Sequence, residues 1–345
     1  MASKTPSKSS QAWALFDATV ARATPDGGYS NPWEQGTYKP DIQTLETLLG
    51  CVLAIIPDPA DTQSGVAAKA LDVWIAYELR RAGFEPNAVW PRAQHPRVIP
   101  TDIAALLSSL RPKKDADELR ERLEGPNPPS GIVSANANIL GLNYVKQVDV
   151  VMSSWATGPE ILISTKRMDA AFGKNAANRI EEANGDAKNL RGRHPMAALG
   201  FAFGLRSTAF TDDTSAAQWL VDQLQKLNRE SDAYDAVGLI VPDYEVPSWV
   251  TQKEPAAPEA SELDPFDQPG ADDPDPGSAE IPLLGPRLES LPKVKIRDDL
   301  TPPDLSPDVF LASIVNYVLD ASPITMHPEA RRRAGRPFVE PKPRK

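Results

Sequence analysis

The stretch DVVMSSWATGPEILISTK, residues 149–166, decides how the rest of the chain is read. Two β-prone runs, DVVM and EILISTK, flank the turn-forming cluster WATGP, so the segment predicts a hairpin. With the turn centred near Ala156–Thr157, Asp149 falls opposite Ser164, and Lys166 lies two residues further along the same strand face. One carboxylate and one lysine thus converge at the open end of the hairpin. That pairing suits Mg2+-assisted phosphodiester hydrolysis, in which a carboxylate holds a hard cation through oxygen and the cation lowers the pKa of bound water. A lysine can orient that water and offset charge on a pentavalent phosphate.

Outward from the hairpin, apolar spacing predicts helices over Ile42–Ile56, Ala67–Ala82 and Asp115–Leu123, the second stopped at Gly83. Short β-like runs follow at Ala137–Leu142, Lys146–Ser153 and Glu160–Thr165. A long helix over Asp169–Leu190 precedes LGFAFGLR (199–206), which has the length of a buried strand. A helix at Asp213–Asn228 then leads to a second apolar run, AVGLIVP. Two nearly all-apolar strands around a helix predict an α/β fold with a mixed central sheet covered on both faces.

The ends of the chain read differently. Residues 1–40 are polar and rich in Gly, Pro and Ser, which predicts a partly disordered segment before a folded body at 41–250. Residues 251–304 read as an acidic, proline-rich linker that cannot bury enough surface to fold. Within 305–322, SPDVFLASIVNYVLD is an amphipathic helix suited to docking back on the body, and 323–345 read as a basic, flexible tail.

The 345 residues carry a formal net charge of −10, which at first argues against a nucleic-acid partner. Its location reverses that argument. Residues 253–280 hold nine acids and one lysine, so this segment alone carries −8 and the remainder is near −2. A nearly neutral body can present a basic face. No apolar run approaches the roughly 20 residues of a membrane span and no signal peptide is legible, which predicts a cytoplasmic protein without a membrane partner. The single cysteine, Cys51, lies in the apolar run CVLAII and reads as a buried structural thiol. Three widely spaced histidines argue against a zinc site.

Asp149, the triplet Ser164-Thr165-Lys166 and the helix–strands–helix–strand order together resemble the PD-(D/E)xK nuclease superfamily, and among its members type II restriction endonucleases. The resemblance covers roughly residues 67–242. It implies a restriction-endonuclease-like αβββαβ core with helical N-terminal additions, Mg2+ as cofactor, double-stranded DNA as substrate, a homodimer cutting one strand per site, and a cognate methyltransferase as functional partner. It also admits a repair or recombination nuclease on the same fold, or an inactive DNA-binding or scaffold subunit. Val148 stands where the family has proline, and Ser164 stands in its acidic slot.

A hydroxyl is a poor substitute for a carboxylate at a hard cation, so another acid is needed. Glu160 has the right parity, but six residues of strand put it roughly 20 Å from Lys166. Some restriction-enzyme branches with Ser at this position supply the acid from the next helix, which here offers Glu181 and Glu182. On that helix Ala176, Ile180, Ala183, Ala187 and Leu190 form the apolar stripe. Asn175, Arg179, Glu182 and Asp186 border it and Glu181 points away, so phase selects Glu182. Glu78 falls inside the stripe of Leu71, Trp74, Ile75, Leu79 and Ala82 and needs a partner there, which makes it a third acid. The expected metal ligands are therefore Asp149, Glu182 and Glu78, with Lys166 and Ser164 completing the catalytic set. Plainer readings compete: Asp149 held by backbone amides, Lys166 solvated, Glu182 paired with Arg179 or Lys188, Glu78 in a salt bridge with Arg92 or Arg97. Arg167, Lys174, Arg179, Lys188, Arg191, Arg193 and Arg206 are expected to contact DNA phosphates, and Arg331–Arg333 to add non-specific attraction or to balance the acidic linker.

Overall fold

The computed structural model describes residues 7–58, 66–124, 132–134, 136–248, 250 and 285–339. The first half contains α1 (Lys8–Ala23), β1 (Trp33–Glu34), β2 (Thr37–Tyr38), α2 (Ile42–Ile55), α3 (Val66–Arg81), β3 (Val89–Trp90), α4 (Thr101–Ser109) and α5 (Lys113–Glu124). The hairpin region holds β4 (Ala137–Leu140), β5 (Val145–Val148), β6 (Val150–Ser154) and β7 (Gly158–Met168). Then come α6 (Phe172–Arg193), β8 (Ala198–Leu205), α7 (Ala209–Asp212), α8 (Thr214–Leu227), β9 (Ala236–Ile240) and β10 (Pro242–Asp243). The chain finishes with α9 (Gly285–Leu288), β11 (Lys295–Ile296), α10 (Pro307–Ala321) and α11 (Pro328–Arg333).

The fold is mixed α/β. Its central sheet has the order β3-β6-β7-β8-β9, antiparallel across β3, β6 and β7 and parallel from β7 through β9. Strands β8 and β9 are buried along their whole length, as expected for parallel strands covered on both faces. One face packs on α3 and α10 through Ile161, Ile163, Ala198, Ala202 and Ala236, with α1 and α2 packed in turn against α3 in the same core. The other packs on α6 and α8 through Leu162, Leu199, Phe201, Phe203 and Val237, with the predicted α6 stripe (Ala176, Ile180, Ala183, Ala187, Leu190) buried against it.

The hairpin register pairs Val150 with Ile163 and Val151 with Leu162, so Asp149 comes level with Ser164 as the sequence predicts. The expected strand Lys146–Ser153 is, however, broken at Asp149. Its first part, β5, pairs with β4 in a separate two-stranded sheet, and only β6 joins the central one. The expected first strand, β4, therefore lies outside the central sheet, and the short β3 takes the edge beside β6. Strand β7 runs on to Met168 because β8 accompanies it through the pair Met168–Leu205. That extension displaces the start of α6 from the expected Asp169 to Phe172.

The terminal regions are more built than their composition suggests. Helix α1 buries Ala12, Trp13, Leu15, Phe16 and Val20 in the core, correcting the expectation of a partly disordered 1–40. Strand β11 pairs with β10, so residues 285–304 are not linker, while the acidic segment 253–280 lies outside the described residues. Helix α10 docks as predicted, with Phe310 against Gly238, where a Cβ would meet the ring at 2.8 Å. The basic cluster of the tail is also spoken for. Arg331 is buried and donates to Leu319 O and Ser322 O at the end of α10, while Arg332 and Arg333 pair with Glu329. Gly83, at φ +101, ends α3 as predicted and lets α11 approach, with Ala330 N 2.8 Å from where its Cβ would sit. Cys51 is buried beside the Thr19 hydroxyl, and burial pushes its thiol up to about 11. No described helix is long and apolar enough to cross a membrane.

Candidate functional site

The break at Asp149 builds the site. Where the chain leaves the β6 ladder, the Thr165 amide on β7 loses its backbone acceptor. The Asp149 carboxylate replaces it, with Oδ2 accepting from Thr165 N at 2.8 Å. Thr165 alternates to the opposite face from Ser164 and Lys166 and meets α3, where its Oγ1 donates to Asp72 Oδ1 at 2.5 Å. One threonine thus holds two carboxylates, Asp72 buried and Asp149 partly open. Both border a cavity of about 350 Å³ that also touches Lys69, Lys166 and Arg179 and is walled by Trp13 and Trp90.

The electrostatics are those of two acids sharing a desolvated place. Burial and then the charge of Asp149 hold the Asp72 carboxyl well above the usual carboxylate range, against the pull of Thr165, Lys69 and Lys166. Asp149 is also raised, by desolvation, although the Thr165 amide, Lys166 and Lys146 favour its ionised form. A hard divalent cation removes both penalties, because opposite charge favours ionised carboxylates. Among the described residues no three His, Cys, Asp or Glu side chains gather as a metal cluster. Two carboxylates nonetheless suffice for Mg2+, which keeps most of its waters and takes further oxygens from substrate phosphate.

The helix-phase reading of α6 succeeds in direction and misses in height. Glu182 does face the sheet side while Glu181 is exposed, but Glu182 is engaged by Lys166 Nζ at 3.3 Å and Arg179 at 3.1 Å, which lower its pKa despite partial burial. The α6 acid whose charge reaches Asp149 is Asp186, one turn further on, and it is tied to Lys146 at 2.7 Å. Ser164 is buried near the hydroxyl of Tyr234, which itself donates to Ala183 O.

Glu78 is elsewhere. Its carboxylate accepts both contacts of Arg81 at 2.8 Å, the Asp41 amide at 2.7 Å and the Tyr38 hydroxyl at 3.1 Å. Burial pushes it up to about 7 against the pull of Arg81. The salt-bridge reading of Glu78 therefore describes it, with Arg81 in place of Arg92 or Arg97, and it does not line the cavity. Asp72 holds the place by the cavity that Glu78 was expected to fill. No protein-family model, curated protein or solved structure matches the chain.

The expected phosphate contacts divide into three. Arg167 is almost wholly buried, paired with Asp169 at 2.7 Å, and Arg206 lies over the Tyr244 ring at 4.3 Å and donates to Tyr244 O. These two are internal struts. Arg191 pairs with Asp235 at 2.6 Å and Lys188 with Asp232 at 2.5 Å. Lys174 and Arg193 are exposed, and Arg179 reaches the cavity edge.

Proposed function

We propose that the protein is a Mg2+-dependent DNA endonuclease of PD-(D/E)xK type whose metal-binding acids are Asp72 and Asp149. The observation that carries this reading is the Thr165 clamp on both carboxylates with Lys166 next in the strand. The element order α3, β3, β6, β7, α6, β8 supports it, since it gives an αβββαβ core with a different first strand from the one the sequence suggested. In this reading Ser164 needs no carboxylate, because the second acid arrives from the first core helix.

The chemistry bound Mg2+ would supply is polarisation of the scissile phosphate and a lowered pKa for the attacking water. Thr165 fixes both acids before substrate arrives, so no reorganisation is needed at the moment of reaction. Lys166 supplies positive charge toward the phosphate, and Glu182 holds its ammonium in place. The walls of Trp13 and Trp90 limit competing water. Lys174, Arg179 and Arg193 are the cations available to the DNA backbone, and a homodimer would cut both strands.

A second reading, an inactive DNA-binding subunit, is favoured by one observation: the predicted third acid, Glu182, is tied to Lys166 and Arg179. The two are separated by incubating varied duplex DNAs with Mg2+ and comparing wild type with Asp72→Asn, Asp149→Asn and Lys166→Ala. Cleavage by wild type and its loss in all three supports the nuclease. Equal cleavage by all four removes the site, and DNA binding without cleavage under any metal favours the inactive subunit.

A further inference from the structure

The cations of α6 can grip DNA on only one side of the sheet. Lys174, Arg179 and Arg193 all belong to that helix, and Lys166 is held toward it by Glu182. On the side of α1 and α3, the cations that border the candidate cavity are Arg167 and Lys69. Arg167 is spent on Asp169. Lys69 is not spent.

Lys69 lies half-buried near the start of α3, three residues before Asp72. Its ammonium donates to the Ser9 hydroxyl at 3.3 Å and stands 5.9 Å from the centre of the Trp13 ring. Both holds are weak. A cation–π contact fades near 6 Å, and the Arg97 guanidinium already covers the same ring at 4.1 Å. Ser9 sits in the first turn of α1, which contains no acid, so the hydroxyl offers a lone pair without a countercharge. Asp72 feels the charge of Lys69 but is tied to the Thr165 hydroxyl. Asp58 borders the same cavity and has a partner of its own. No carboxylate among the described residues forms an ion pair with Lys69. A divalent cation on Asp72 and Asp149 would cancel even their distant pull, and a phosphate oxygen would then be the natural partner for the lysine.

The placement is equally specific. Lys166 reaches α6 and Lys69 reaches α1, so the two ammonium groups flank the acid pair from the two faces of the sheet. A DNA strand laid across the acids would meet Lys166 at one phosphate and Lys69 at a neighbouring one. We infer that Lys69 binds the DNA phosphate next to the one that Lys166 serves, gripping the strand on the α3 side of the acids. This rests on the nuclease reading for its ligand, and binding is therefore measured apart from cleavage.

The test follows binding of a short duplex to the full chain by fluorescence anisotropy between about 50 and 200 mM salt, with Ca2+ in place of Mg2+. Lys69→Met keeps the aliphatic stem and removes the charge. The slope of log K against log salt should become shallower by about one unit, with affinity roughly 10-fold weaker. Lys69→Arg should restore both. In single-turnover cleavage with Mg2+, the half-saturating concentration should rise in Lys69→Met while the saturating rate holds, whereas Lys166→Met lowers the saturating rate. A purely structural lysine would change Tm and leave the salt slope alone. Lys69→Gln, which can still donate to Ser9, takes the place of the methionine variant if that one does not fold. DNA binding by wild type with an unchanged slope in the neutral variant overturns the inference and leaves the nuclease reading standing. A shallower slope without cleavage under any metal sustains Lys69 as a phosphate contact and removes the nuclease reading. No DNA binding by wild type overturns both.

Discussion

Replacing Asp72 by Asn should make the metal-free protein more stable while abolishing the proposed cleavage. The amide keeps an oxygen for the Thr165 hydroxyl, so packing and the hydrogen bond survive. What disappears is one of two like charges. Carboxylates on either side of one threonine are roughly 6 Å apart, a repulsion of about 3 kcal/mol at an effective dielectric of 20. Lys69 and Lys166 offset part of this, leaving a net gain of about 1–2 kcal/mol for the variant, or roughly 3–6 °C in Tm. The pH dependence has a definite sign. Both acids are raised in the folded state, so their contribution to stability is full below the unfolded pKa and is lost as pH rises through the folded values. The advantage of Asp72→Asn should therefore be small near pH 4 and grow toward pH 8. Thermal unfolding in chelator across that range measures it. Adding Mg2+ at about 100 times its Kd should stabilise wild type by about 2.7 kcal/mol and the variant much less. A variant less stable than wild type at pH 8 in chelator, or an unchanged response to Mg2+, refutes the argument.

Other substitutions separate the site from the scaffold. Lys166→Met should lower cleavage by about 100-fold or more while the Mg2+-induced rise in Tm persists, checked by single-turnover kinetics beside thermal unfolding. Glu78→Gln strips the buried countercharge from Arg81 and should cost about 3–5 kcal/mol in urea unfolding, with the Mg2+ response of the folded protein intact. Gly238→Ala drives a methyl into the Phe310 ring and should cost about 1–3 kcal/mol. Phe310→Leu in that background should recover part of the loss, read as a double-mutant cycle.

The sequence made the hairpin legible because its two strands and turn are adjacent and the period of two fixes which residues face each other. Asp149 level with Ser164 follows from counting alone. Helix phase was equally legible: it put Glu182 on the sheet side of α6 and Glu181 outside. Axial height was not, because it depends on where the chain enters the helix, and the extension of β7 shifted that entry. Asp72 went unseen for another reason. From Ala70 to Ala82 every residue of α3 and its end is buried, so an apolar stripe ceases to mark the inside and an acid beside it looks no different from one facing water. The helix α1 was hidden by its neighbourhood. Its apolar positions at 12, 15, 16 and 20 have helical spacing, but the Gly- and Pro-rich residues after it diluted the composition of the region.

The sheet owes one of its covering layers to residues near the end of the described chain. Asp72, Asp149, Thr165 and Lys166 are all made early, but Phe310 and Ile314, which fill the space over Gly200 and Gly238, come only with α10. Until that helix is present, the faces of β8 and β9 it covers are wet. A polypeptide interrupted before about residue 321 would carry the whole candidate catalytic set on an unsealed sheet. Order of synthesis thereby matters: the sheet that carries the candidate site is sealed only after α10 has emerged, well after the site residues themselves.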